Sequence, residues 1–163
     1  MQTARTLEPG DHLSHYRVVG PLGAGGMGEV YLARDQALER NVAIKVLPPA
    51  VVRNEERLRR FVLEAKSASS LNHPSIVTIY EIGQGRVESA DGGPADPTSD
   101  PVHYISMELV TGKTFSNLIH DEKTDLRTLL GYLAQVAEGL ARTVRWFRDP
   151  ANLTRYKAHL YNV

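Results

Sequence analysis

The segment Leu22-Gly23-Ala24-Gly25-Gly26-Met27-Gly28-Glu29-Val30 is followed, fifteen residues after Val30, by Lys45 inside the apolar run Val42-Ala43-Ile44-Lys45-Val46-Leu47. Glycine tolerates positive φ and close backbone approach, so a glycine-rich turn can present its N–H groups to an anion. A lysine among apolar strand residues is destabilising unless a phosphate or carboxylate faces it. Together the two halves point to a nucleotide phosphate, and neither half is specific alone. G-x-G-x-x-G also serves dinucleotide-binding folds, where the glycines open a helix. Here they are followed by Glu29-Val30-Tyr31-Leu32-Ala33-Arg34, a strand pattern of β-branched and aromatic residues. Tyr16-Arg17-Val18-Val19 reads as the strand entering the turn, so the glycines sit at the tip of a hairpin over a ligand.

Residues 1–15 form a polar leader. Asp35 to Asn41 is a polar connection, and the strand around Lys45 ends at Pro48-Pro49, which cannot continue a ladder. From Asn54 to Leu71, Leu58, Phe61, Val62, Ala65, Ala68 and Leu71 recur at helical spacing, with Glu55 and Glu56 in the first turn. Glu64 lies three residues after Phe61 and four before Ala68, which assigns it to the apolar face of that helix. A carboxylate there and a lysine on an inner strand account for each other. Ile76 to Ile82 and Val102 to Val110 read as strands, separated by a Gly- and Pro-rich insertion over 84–101. Thr124 or Asp125 can cap a second helix carrying Leu126, Leu129, Leu130, Leu133, Val136, Ala137 and Leu140 on one face. From Arg142 the chain mixes basic and aromatic residues with no helical or alternating period.

The length of 163 residues suits one domain, or one complete lobe with part of another. Nineteen basic and nineteen acidic residues cancel, so no global field draws the chain to nucleic acid or an anionic membrane. The absence of cysteine excludes disulfides and thiolate metal sites and suits a reducing cytoplasm. The six histidines lack ligand spacing, so no metal site is expected from them. There is no apolar export core at the start and no uninterrupted membrane-length apolar segment, so a cytoplasmic chain without a membrane span is expected.

On these residues the chain resembles the N-terminal part of a eukaryotic-like Ser/Thr protein kinase of the bacterial type. The glycine segment is similar to that family's Gly-rich loop, Val42-Ala43-Ile44-Lys45 to its strand-three lysine motif, and Glu64, nineteen residues on, to its helix-C glutamate. His73-Pro74-Ser75-Ile76-Val77-Thr78-Ile79-Tyr80 resembles the segment joining helix C to strand four. Tyr104-Ile105-Ser106-Met107-Glu108-Leu109-Val110 resembles strand five and the hinge. The resemblance runs from about Tyr16 to Ala141. It implies an α+β fold: a kinase-like N-lobe over 16–110 with a five-stranded antiparallel sheet and helix C, then a hinge exit and the first helices of an incomplete C-lobe over 111–141. Residues 142–163 fall outside it. ATP is the implied cofactor. Leu22, Val30, Ala43 and Met107 would enclose adenine, and backbone groups of Glu108 and Val110 would bond its edge. Lys45, held by Glu64, would reach the α- and β-phosphates beneath Gly23, Gly25, Gly26 and Gly28.

The family's second half is not intact. Its His-Arg-Asp motif, the Asn five positions later that binds Mg²⁺, and its Asp-Phe-Gly are all missing. Phe147-Arg148-Asp149-Pro150-Ala151-Asn152 echoes the loop, but phenylalanine replaces histidine and Asn152 follows Asp149 by three residues. Asp149 is the sole, weak candidate for a base, and the Mg²⁺ ligands have no counterpart. The expectation is the ATP-binding part of a protein Ser/Thr kinase, inactive in phosphoryl transfer as this chain alone, with the loss after Ala141 read as a truncation, a frameshift or a gene-calling artefact. The alternative is a non-catalytic nucleotide-binding or protein-interaction module exposing its hinge and last helix. The protein substrate is not encoded in these residues.

Overall fold

The computed structural model describes residues 6–25, 28–91, 98–120 and 124–152. They divide between two compact units, one drawn from Met1–Ala65 and Ile79–Leu109, the other from Lys66–Thr78 and Val110–Val163.

The first unit is built on an antiparallel sheet. In chain order its strands are β1 (His12–Leu13), β2 (Tyr16–Gly25), β3 (Gly28–Asp35), β4 (Arg40–Val46), β5 (Ile79–Gly85), β6 (Val87–Glu88) and β7 (Val102–Glu108). Their order across the sheet is β5-β7-β4-β3-β2-β1-β6. The five longer strands make the expected sheet, but β5 begins at Ile79 rather than Ile76 and runs to Gly85, into the expected insertion, and β7 ends at Glu108 rather than Val110. The two short ones come from segments expected to lie outside it: β1 from the leader, and β6 from the insertion, of which residues 92–97 lie outside the described residues. β5 and β6 are joined through Arg86 alone yet occupy opposite edges, so the sheet must curl into a half-barrel. Gly85 permits this closure, since a Cβ there would stand 3.3 Å from the Leu13 side chain.

The concave interior is the core. Leu7, Leu13, Tyr16, Val18, Tyr31, Ala33, Val42, Ile44, Val46, Val87 and Tyr104 form one buried cluster. The rings of Tyr16 and Tyr104 meet edge to face at 5.7 Å, and both hydroxyls donate to Glu81, at 2.6 and 3.2 Å. Burial, followed by donation to Glu81, pushes the Tyr16 hydroxyl well above the usual phenol range. This polar clamp ties β2, β7 and β5 together across the interior.

The turn between β3 and β4 is organised by one buried carboxylate. Asp35 Oδ1 accepts from the N–H groups of Ala37 and Leu38, at 3.1 and 3.0 Å, while Oδ2 accepts from Arg40 Nε at 3.3 Å. Glu39 takes φ +50°, and the Arg40 guanidinium stacks 3.6 Å from the centre of the Tyr80 ring. The turn is thereby fixed to the start of β5.

After β4 come a single helical turn, α1 (Pro49–Val52), and the expected long helix, α2 (Glu55–Ser69). Pro is well placed at the first position of α1 because its missing N–H would find no partner there. Asn54 Oδ1 caps α2 by accepting from Arg57 N–H at 3.0 Å. Leu63 and Ala65 are buried.

The second unit contains α3 (Phe115–His120) and α4 (Leu126–Arg148). Asp125, rather than Thr124, caps α4, accepting from Thr128 N–H at 3.1 Å. The helix does not end near Ala141, where its periodicity was expected to stop. It continues to Arg148, with Arg145 and Arg148 in the last turn, where cations suit the dipole. It stops before Pro150, which disfavours helical backbone at Asp149 (φ −70°, ψ 119°). Gly139 is the buried position of α4: a Cβ there would lie 3.5 Å from Ile76 and from the Ser75 carbonyl, so residues 75–76 cross the helix at its glycine. Leu126, Leu130, Leu133, Val136 and Leu140 are exposed. Among the described residues no helix is long and apolar enough to cross a membrane.

Burial alone would raise the Asp35 carboxyl, but the Leu38 N–H, Arg40 and the Ala37 N–H outweigh it, and the group sits below its ordinary value of 3.8. A depressed folded value means that its contribution is complete above pH 3.8 and is lost as pH falls through the lower folded value. Thermal unfolding from pH 5 to 2 should show Asp35→Asn less stable than the native chain at pH 5, with the gap narrowing on acidification; a constant gap would contradict this.

Candidate functional site

Residues paired across an antiparallel ladder share a face, and the face alternates along each strand. One row of partners runs Gly23, Val30, Lys45, Ile105 and Ile82 across five strands. A second runs Leu32, Ala43, Met107 and Ile79. The intervening row, Tyr31, Ile44 and Ser106, lies on the opposite face, with the core. The sheet therefore brings Val30, Ala43, Lys45 and Met107 to one side, where the Lys45 ammonium stands among apolar residues. Ala43 and Ile105 are buried, while Val30, Lys45 and Met107 are half-buried. Leu32, Ile79, Ile82 and Ile105 complete the platform. They were not singled out from sequence, although alternation from Ala43 and Lys45 carries the signal once the strands are paired.

The glycine hairpin stands at the end of this platform. Gly25 pairs with Gly28, and Gly26 lies outside the described residues. Gly28 is required by the protein itself: its φ is +110°, and a Cβ would fall 2.2 Å from the Val46 carbonyl oxygen and 3.2 Å from Pro48. Gly23 and Gly25 differ, because among the described residues a Cβ on either would meet nothing within 4 Å. Packing against the described residues therefore does not demand glycine at Gly23 or Gly25. Leu22 falls at the ladder irregularity between Pro21 and Gly23 and is 52% exposed.

Other expected positions are less convergent. Glu64 is exposed, and the ion pairs described do not include one between it and Lys45. The expected placement on the apolar face is not realised, because the buried positions of α2 fall at Leu63, Ala65 and Ser67, and an exposed carboxylate keeps its hydration. Glu108 ends β7 and is exposed, and Val110 belongs to the second unit. Asp149 is exposed at the end of α4, where its Oδ1 accepts from Ala151 N–H at 2.9 Å while Asn152 Nδ2 donates to the Trp146 carbonyl at 3.2 Å. Asn152 serves the α4 terminus, and Asp149 accepts from the short turn that follows it. Among the described residues no group of three or more His, Cys, Asp or Glu is placed to hold a metal ion.

A half-barrel sheet with a glycine hairpin, a lysine on the adjoining strand and a following helix is the arrangement of a protein kinase N-lobe. The protein kinase domain family matches residues 16–143, and the chain belongs to that family. It is 42% identical over 112 residues to the serine/threonine-protein kinase PknB of Mycobacterium leprae, covering 68% of this chain and 16% of that protein. It is likewise 42% identical over 104 residues to the serine/threonine-protein kinase PrkC of Bacillus subtilis, covering 64% of this chain and 14% of that protein. In structure it resembles the PknI kinase domain of Mycobacterium tuberculosis, with a TM-score of 0.66 and 29% identity, over 85% of this chain and 51% of that one. The chain thus spans about half of that kinase domain and about a sixth of the curated PknB.

The two kinds of glycine should separate experimentally. Gly28→Ala is expected to lower unfolding stability by about 1–3 kcal/mol through its positive φ and the Val46 contact. Gly23→Ala should stay within about 0.5 kcal/mol of the native chain. Chemical denaturation compares them, and equal costs would contradict the distinction.

Proposed function

We propose that the first unit is the ATP-binding part of a protein Ser/Thr kinase. The observation that carries this reading is the single face shared by Gly23, Val30, Lys45, Ala43 and Met107, beside Gly23 and Gly25, whose Cβ positions meet no described residue within 4 Å. On this reading adenine lies against Val30, Ala43 and Met107, with Leu22 over it and the Glu108 backbone toward its edge. The triphosphate extends toward Lys45 and the N–H groups of the glycine hairpin. An ammonium so placed supplies a charge-assisted hydrogen bond to the α- and β-phosphate oxygens, in a setting where apolar neighbours limit competing water. The exposed Glu64 is the partner proposed for Lys45 once nucleotide is bound.

Binding and chemistry separate in this chain. Phosphoryl transfer needs a base aligned with the acceptor hydroxyl and cations that neutralise the transferring group. The sequence carries no intact His-Arg-Asp or Asp-Phe-Gly, and Asp149 is engaged at a helix end. The chain alone is therefore proposed to hold ATP without transferring its γ-phosphate.

Titration with a fluorescent ATP analogue tests the reading. Lys45→Ala should weaken binding by roughly tenfold or more, the worth of one hydrogen bond to a charged group. Gly23→Ala, neutral for stability, should also weaken it. Unchanged affinity in Lys45→Ala would contradict the site.

A further inference from the structure

We propose that the segment Leu7 to Leu13 is a positioning element for the glycine hairpin, with Tyr31 Oη as its link to the exit strand. The inference rests on the nucleotide reading above for its functional consequence. Although expected to be a leader, the segment is built into the fold: Leu7 is 3% exposed, Asp11 3% and Leu13 0%. It holds itself in shape, with Glu8 N–H donating to Asp11 Oδ2 at 3.0 Å and Gly10 adopting φ +97°.

Both arms of the hairpin are tied to it. The entry arm, β2, is held through its backbone: Gly10 N–H donates to the Val18 carbonyl and Val18 N–H to the Asp11 carbonyl, each at 2.8 Å. The exit arm, β3, is held through a side chain. Tyr31 is 1% exposed, and its hydroxyl oxygen accepts from Leu7 N–H at 3.1 Å while donating to the Glu29 carboxylate. A buried hydroxyl with donor and acceptor both engaged cannot turn away from either without leaving a polar group unsatisfied. Glu29 follows Gly28 directly, and Gly28 stands against Val46 so closely that a Cβ there would meet the Val46 carbonyl oxygen. The hydrogen-bond chain from Leu7 through Tyr31 to Glu29 therefore ends at the residue that sets where the hairpin leaves the site.

Burial and the Glu29 bond push the Tyr31 hydroxyl up to about 12, so it stays protonated and able to donate throughout the physiological range. Tyr31 touches no part of the proposed ligand face, which lies on the other side of the sheet. It is a positioning residue.

Tyr31→Phe removes only Oη and keeps the buried ring. Amide hydrogen exchange followed by NMR in the nucleotide-free protein should show faster exchange at Glu29, Val30 and Tyr31, with Ile82 and Ile105 unchanged. Affinity for the fluorescent ATP analogue should fall by about threefold or more. Glu29→Ala should give the same local pattern, and combining it with Tyr31→Phe should add little, as expected of two members of one link. Because Glu29 is half-buried, its variant keeps the test open if Tyr31→Phe does not fold. Exchange that rises evenly over the sheet, or additive effects of the two changes, would overturn the proposal. If the native chain does not bind nucleotide, the nucleotide reading fails instead, and the exchange pattern alone decides the link.

Discussion

The register of β4 is the constraint on which the rest depends. This strand is paired on both sides, and its residues alternate between two environments that cannot be exchanged. Val42 and Ile44 fill the interior of the half-barrel, while Ala43 and Lys45 face the other way. A slip by one residue would put the Lys45 ammonium into the core and expose two fully buried β-branched side chains. That penalty fixes β4 against β3 and β7 together. It also delivers Val30, Met107 and Gly23 to the lysine's side of the sheet.

Devices around the strand ends keep this register from drifting. Asp35 closes the β3–β4 turn from below the surface, and Arg40, paired with it, reaches Tyr80 on the distal edge strand. At the other end, Gly28 turns the chain where no side chain fits, and the chain start holds both arms of the hairpin. The Glu81 clamp on Tyr16 and Tyr104 closes the curl. The described part of the hairpin is thus held from the core face, opposite the Lys45 platform.

Much of this is legible in the residues because it depends on local chemistry. Gly23 to Gly28 and the following strand pattern mark a hairpin, and the spacing to Lys45 marks its neighbour. The asymmetry between Gly28 and the other glycines is not local, since it depends on where Val46 and Pro48 arrive. β1 and β6 escape notice because two-residue strands carry no period. Leu7 carries no periodic signal, and its place in the core cluster is fixed only by where Tyr31 arrives. Glu64 shows the limit of spacing arguments: heptad-like positions give a helix its faces, but not its rotation against a sheet. The extension of α4 to Arg148 was masked by the basic and aromatic residues after Ala141, although Val144 and Phe147 continue the stripe of Leu133, Val136 and Leu140 at helical spacing, and Pro150 is the first residue able to stop the helix.

The most direct test of the account is methyl NMR with a non-hydrolysable ATP analogue, because the two faces of the sheet carry different methyl groups. The account predicts that saturating analogue shifts the methyls of Val30, Ala43 and Met107 and leaves those of Val18, Val42 and Ile44 largely unmoved. Shifts confined to the core methyls, or none at saturation, would contradict the claim that the Lys45 face is the nucleotide face.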